Sequence, residues 1–121
     1  MGSEIAPSLI KAGDAVSVTL IWRAVQIPTA DYTVFVHLRD ASGHIVAQAD
    51  SPPQAGTYPT SFWDAGETVV DDHTIAVPDN LPVGDYTVAV GLYRPDTGER
   101  LSITQSSGES EIALPQTVRV R

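Results

Sequence analysis

The sequence contains no cysteine among its 121 residues, and it has only 7 basic residues against 15 acidic ones. The lack of cysteine excludes a disulfide scaffold, a thiol nucleophile and a thiolate zinc site. The net charge of −8 predicts no nucleic-acid partner, because an acidic surface repels the phosphate backbone that such proteins must neutralise. No apolar run approaches the roughly 20 residues that span a bilayer, so we expect no membrane insertion of this segment.

The length and the 42% hydrophobic content suit one domain with a single core, since domains of roughly 100 to 150 residues are the commonest. We expect this domain to cover residues 4–121. Residues 1–3, Met-Gly-Ser, have the composition of an expression remnant.

Alternation of apolar and polar residues is the main structural signal. It predicts two long strands, over residues 15–24 and 32–39. The inward side chains of the first strand are Val16, Val18, Leu20 and Trp22. Those of the second strand are Tyr32, Val34, Val36 and Leu38. No window has the apolar spacing of a helix. Seven to nine short strands separated by turn residues predict an all-β fold, a two-layer antiparallel β-sandwich.

Residues 81–93, Leu-Pro-Val-Gly-Asp-Tyr-Thr-Val-Ala-Val-Gly-Leu-Tyr, predict a further strand that begins at a tight turn. Tyr86 follows Gly84 at the mouth of this strand. We therefore expect a tyrosine corner, in which the Tyr86 ring enters the core and its hydroxyl bonds back to the backbone of the turn.

Two prolines mark irregular positions in the predicted sheets, because proline cannot donate to a strand ladder. Pro7 places residues 5–10 on a sheet edge, and Pro115 predicts a bulge or a change of sheet within the last strand.

Two Asp-Tyr-Thr-Val tetrads, at residues 31–34 and 85–88, suggest that the strands containing them pair in one sheet. Their outward faces would then bring Phe35 and His37 close to Gly91 and Tyr93. We expect a shallow surface shelf there, with Phe35 and Tyr93 as a candidate ligand contact or as simple cross-strand packing.

The connection over residues 50–66 is longer than most connections and contains Tyr58, Phe62 and Trp63. Two alternatives stay open for these aromatics. They form a platform on which sugar rings stack, or they pin the connection over the open end of the sandwich.

The sequence predicts neither an enzyme nor a cofactor. No Gly-x-Ser-x-Gly turn accompanies the three histidines, and we expect no Ser-His-Asp triad; His73 is expected at the core margin with a backbone partner. The glutamates fall in turns or at strand ends, where a glycosidase pair is not expected. Asp71 and Asp72 point to opposite faces, so a calcium site is possible only where one of them meets Asp31, Asp50 or Asp64; no other metal site is expected.

The order and spacing of several motifs resemble one family. These motifs are Gly13-Asp14 before the strand with Trp22, residues 31–38 and 47–50, Tyr58-Pro-Thr-Ser61 with Trp63, Gly66-Glu67, Leu81-Pro-Val-Gly-Asp-Tyr86, and Val90-Gly-Leu-Tyr93 with Thr97-Gly98. Together they resemble the β-sandwich region appended C-terminally to bacterial multi-pass membrane glycosyltransferases of the protein mannosyltransferase-like kind. His73 departs from that pattern, which has a tyrosine at this position.

The resemblance implies an immunoglobulin or fibronectin type III-like fold and a non-catalytic accessory domain on the outer side of the membrane. Such a domain serves interaction or spacing, with a neighbouring protein domain or a glycan as its partner. The alternative is a carbohydrate-binding module that uses the aromatics of residues 58–63.

Overall fold

The computed structural model describes residues 2–24, 30–101 and 111–121. These residues form eight β-strands: β1 (Gly2–Ala6), β2 (Leu9–Ile10), β3 (Ala15–Arg23), β4 (Thr33–Arg39), β5 (Ile45–Ser51), β6 (Thr68–Ala76), β7 (Gly84–Tyr93) and β8 (Ile112–Val120). A turn at Pro53–Gly56 and a short 3-10 helix at Thr60–Phe62 lie between β5 and β6. Over the same residues, no helix is long and apolar enough to cross a membrane.

The strands form two packed sheets, which confirms the predicted all-β sandwich. One sheet has the order β1-β3-β6 and the other has the order β2-β8-β7-β4-β5. All the pairings are antiparallel except that of β2 with β8, which is parallel. The inward side chains alternate along β3 and β6 as period-two burial requires, and they form one core between the sheets.

Both prolines lie where the strands depart from regular pairing. Pro7 separates β1 from β2, so the predicted edge segment is divided between the edges of the two sheets. Thr87 is opposite Thr117 but Ala89 is opposite Ala113, so residues 114–116 face a single residue of β7. The bulge predicted at Pro115 is therefore confirmed.

The strand register brings three connections to one end of the sandwich. Arg23 is opposite Thr68, Tyr93 is opposite Thr33, and Ser51 is opposite Val34. The β3–β4, β5–β6 and β7–β8 connections therefore leave from the same end. We call this the loop end and define it by the described residues 30–32, 52–67 and 94–99.

Tyr86 forms the predicted tyrosine corner at the opposite end. Its ring is buried, and its hydroxyl donates to the Pro82 carbonyl oxygen at 2.6 Å. The hydrogen bond ties the turn before β7 to the core on which that strand packs.

Replacing Tyr86 by phenylalanine removes this hydrogen bond and keeps the ring. We expect the free energy of unfolding to fall by about 1 to 3 kcal/mol, because the Pro82 carbonyl loses its donor. Urea denaturation measures the loss. Tyr93→Phe is the matched control: its hydroxyl bonds exposed Asp50 at 3.2 Å, so the change should stay within about 0.5 kcal/mol. Equal stability of the two variants would contradict the corner's role.

Candidate binding site at the loop end

The connection between β5 and β6 is held in place by buried contacts. Trp63 is only 4% exposed, and its indole N–H donates to the Tyr58 carbonyl oxygen at 3.1 Å. The buried Thr60 hydroxyl donates to the Ala30 carbonyl oxygen at 2.8 Å and accepts from the Tyr32 amide at 2.9 Å. These bonds join two of the three connections of the loop end, so this end has a defined shape.

Glu67 closes the same connection through two carboxylate contacts. One oxygen accepts from the Asp64 amide at 2.9 Å and the other accepts from the Tyr58 hydroxyl at 2.6 Å. Both bonds lower the pKa of Glu67, and the bond from the Asp64 amide has the larger effect. The hydrogen bond to Glu67 also raises the pKa of Tyr58 to about 12. The Tyr58 hydroxyl is therefore committed to an internal bond.

The three predicted aromatics do not form one flat platform. Trp63 lies in the core, whereas Phe62 is 64% exposed and Tyr58 is half-buried. The Phe62 ring meets Tyr58 edge-on, with centroids 6.5 Å apart and planes at 75°. Trp63 turns inward because its large ring gains burial there while its N–H still reaches a carbonyl. The surface therefore offers one full ring, that of Phe62, beside the edge of a second.

The predicted pairing of β4 with β7 is present, but the shelf on its outer face is covered. Phe35 lies opposite Gly91 as expected, yet it is only 1% exposed. The Arg100 guanidinium lies 4.6 Å from the centroid of the Phe35 ring, and Glu111 pairs with both Arg100 and Arg39. The interpretation of Phe35 as a surface contact is therefore wrong, because charged side chains close over its ring.

The other members of that face are also withdrawn from solvent. His37, expected on the strand exterior, is buried 4.7 Å from the Phe35 centroid, and burial lowers its pKa. Tyr93 is half-buried and donates to Asp50 at 3.2 Å. Burial and the nearby Asp50 carboxylate raise the pKa of Tyr93. This face is packed rather than open.

The acidic residues considered for calcium have separate partners. The Ser61 hydroxyl and, to a lesser degree, the Ser61 amide hydrogen-bond Asp31 and lower its pKa, whereas Asp50 accepts from Tyr93. Asp71 and Asp72 lie on opposite faces of β6, as predicted. Among residues 2–24, 30–101 and 111–121, no three acidic or histidine side chains converge on a common point.

A buried polar chain at the β5–β6 side was not predicted. His73 contacts the Asp71 carboxylate through Nε2 at 2.5 Å and the Ser51 hydroxyl through Nδ1 at 3.0 Å. The expected backbone partner of His73 is therefore wrong, and a serine, a histidine and an aspartate do come together. The sequence does place Asp71 and His73 two residues apart, and therefore on the same face of one strand. The contact of His73 with Ser51 could not be predicted in this way, because it depends on how the two sheets pack.

Gln54 and Trp22 complete this chain. The Gln54 amide donates to Asp71 Oδ1 at 2.7 Å, and the Trp22 indole N–H donates to Oδ2 at 3.4 Å. Gln54 has φ of 51°, in the left-handed region that non-glycine residues rarely adopt. Its side-chain amide also donates to the Val70 carbonyl oxygen at 2.9 Å, so the β5–β6 connection is fastened to β6 at two points.

Trp63→Ala tests whether Trp63 anchors the loop end. We expect the free energy of unfolding to fall by about 3 to 5 kcal/mol, as for other buried aromatic side chains cut to alanine. Phe62→Ala, one position away and exposed, should change it by about 0.5 kcal/mol or less. Chemical denaturation of both variants measures the difference, and a Trp63→Ala variant as stable as Phe62→Ala would refute the anchor.

A scan of the sequence against protein-family models matched none of them, and a search among curated proteins returned no relative. The function is therefore inferred from the geometry of the loop end and from the motif resemblance.

Proposed function

We propose that this chain is a non-catalytic, extracytoplasmic accessory β-sandwich domain that contacts a partner through its loop end. The strand orders β1-β3-β6 and β2-β8-β7-β4-β5, together with the tyrosine corner, favour an immunoglobulin or fibronectin type III-like type of sandwich. In such folds the loops at one end of a rigid scaffold commonly carry binding residues.

The exposed Phe62 ring is the observation that carries this proposal. The backbone beneath it is fixed, because the Phe62 amide donates to the Pro59 carbonyl oxygen at 2.9 Å and Trp63 is buried next to it. Folding therefore holds an aromatic side chain in water on an ordered loop. A rigid exposed aromatic ring is a typical anchor for a partner, because little conformational entropy is lost when it is covered.

The extracytoplasmic location and the attachment to a larger membrane protein rest on the motif resemblance. The net charge of −8 is compatible with this setting, since acidic side chains keep an exported surface soluble. In this proposal the domain serves interaction or spacing, and the chemistry belongs to another part of the parent protein.

Hydroxyl-radical footprinting tests the contact by comparing the isolated domain with the same domain in its full-length parent protein, which we call the native protein. We expect Phe62 to be oxidised in the isolated domain and protected in the native protein, because a partner covers the ring. Val83 is the internal control: it is 70% exposed and lies before β7, away from the loop end. Its oxidation should be the same in both samples. Equal oxidation of Phe62 in the two samples would overturn the proposal.

A glycan is the second candidate partner, and the pairing of Phe62 with Tyr58 favours it. The open ring suits the apolar face of a sugar through C–H contacts. The polar residues Ser61 and Asp31, joined at 3.0 Å, lie directly beside it, and an apolar surface with a few fixed polar groups is typical of small-ligand sites.

Titration of soluble gluco-, manno- and chito-oligosaccharides, followed by amide chemical shifts, tests this candidate. Saturable shifts confined to residues 58–64 and abolished in Phe62→Ala would support a carbohydrate-binding module. Tyr93→Phe, which changes an aromatic residue on the sheet rather than on the loop, should bind like the unmodified domain. Shifts that persist in Phe62→Ala would rule out the proposed sugar contact.

A further inference from the structure

The polar chain of Ser51, His73 and Asp71 sets the position of one proton. Asp71 accepts from the Gln54 amide and from the Trp22 indole N–H, and both of these groups can only donate. A carboxylate held in this way acts as an acceptor towards His73 as well. The ring proton of neutral His73 therefore lies on Nε2, the nitrogen that contacts Asp71.

This tautomer leaves the lone pair of His73 Nδ1 directed at Ser51. The Ser51 hydroxyl lies 3.0 Å away and donates its proton to that nitrogen. A serine hydroxyl bonded to an imidazole that a carboxylate orients is the arrangement that activates serine as a nucleophile, whatever the fold or the order of the residues. The two ring nitrogens have exchanged roles relative to the usual case, but the direction of proton transfer is the same.

We propose that Ser51 is a reactive serine that accepts an acyl group from a small activated ester. Ser51 is the last residue of the edge strand β5 and is half-buried, whereas His73 and Asp71 are buried in the core. This inference goes beyond the proposed partner contact, which uses Phe62 and forms no covalent bond.

The reaction balances without any further reagent. Ser51 Oγ attacks the ester carbonyl carbon while its proton passes to His73 Nδ1, and Asp71 stabilises the resulting imidazolium. A bond forms between Oγ and the acyl carbon, and the bond from that carbon to the leaving oxygen breaks. The proton on His73 passes to the leaving oxygen, so the products are the Ser51 ester and the free alcohol or phenol.

Because the imidazole is buried, we expect Ser51 to be acylated once without turnover. The His73 side chain is only 1% exposed, and we expect the acyl group on Ser51 to keep water away from Nδ1, the one nitrogen that could activate it. Hydrolysis of the acyl group therefore lacks a general base. Ser51 is a modification site in this inference, which agrees with a non-catalytic domain.

p-Nitrophenyl acetate is the probe for the experiment. We expect release of one equivalent of nitrophenolate per chain and one acetyl group, mapped to Ser51 by peptide mass spectrometry. Ser51→Ala should abolish that acetylation, and Ser42→Ala, which changes an exposed serine in the turn between β4 and β5, should leave it unchanged. Acetylation of Ser51 no faster than that of the exposed turn residue Ser42 would overturn the proposal. Continued release beyond one equivalent would overturn the retention of the acyl group.

Asp71→Asn tests the positioning role of the carboxylate. The amide donates to Nε2 and forces the ring proton onto Nδ1, so Ser51 acetylation should slow by roughly tenfold or more while circular dichroism stays unchanged. The nitrogen-15 chemical shifts of the His73 ring in the unmodified domain report its tautomer directly, so they test the inference even where this variant fails to fold. We expect the Nε2–H tautomer, and the Nδ1–H tautomer would refute the inference.

Discussion

The burial of alternate side chains between two sheets is the constraint on which the rest of this structure depends. Val18 and Leu20 of β3 and Val88 and Val90 of β7 belong to the one core between the sheets, and all four are fully buried. A strand has a period of two, so a slip of one residue would turn each of these side chains to the surface. The register is therefore fixed, and with it the positions of the three connections that meet at the loop end.

Features that depend on local spacing could be predicted from the sequence. The inward face of β3 follows from simple alternation, and the tyrosine corner needs only Tyr86 a few residues after Pro82. Pro115 predicts its bulge because the missing N–H disrupts any ladder. The pairing of β4 with β7 could also be predicted, since the same tetrad stands where each strand begins. In each case the determining residues are close together in the chain or repeat one another.

Features that depend on distant packing could not be predicted in this way. Phe35 alternates outward and reads as a surface residue, but Arg100, which comes from another connection, covers it. Trp63 and Phe62 are neighbours of similar character in the sequence, and only the tertiary structure decides which one enters the core. His73 meets Ser51 because β5 and β6 border the two sheets on the same side, and their contact arises only when the sheets pack.

The two bonds from Gln54 to β6 bear on how this domain behaves among its own copies. β6 is the border strand of its sheet, and such strands can recruit a strand of another molecule through their open backbone groups. The Gln54 side-chain amide already donates to the Val70 carbonyl oxygen of β6, so this backbone group is not free to pair with another strand. The residue that orients Asp71 therefore also blocks part of this border against edge-to-edge pairing with a second copy of the chain.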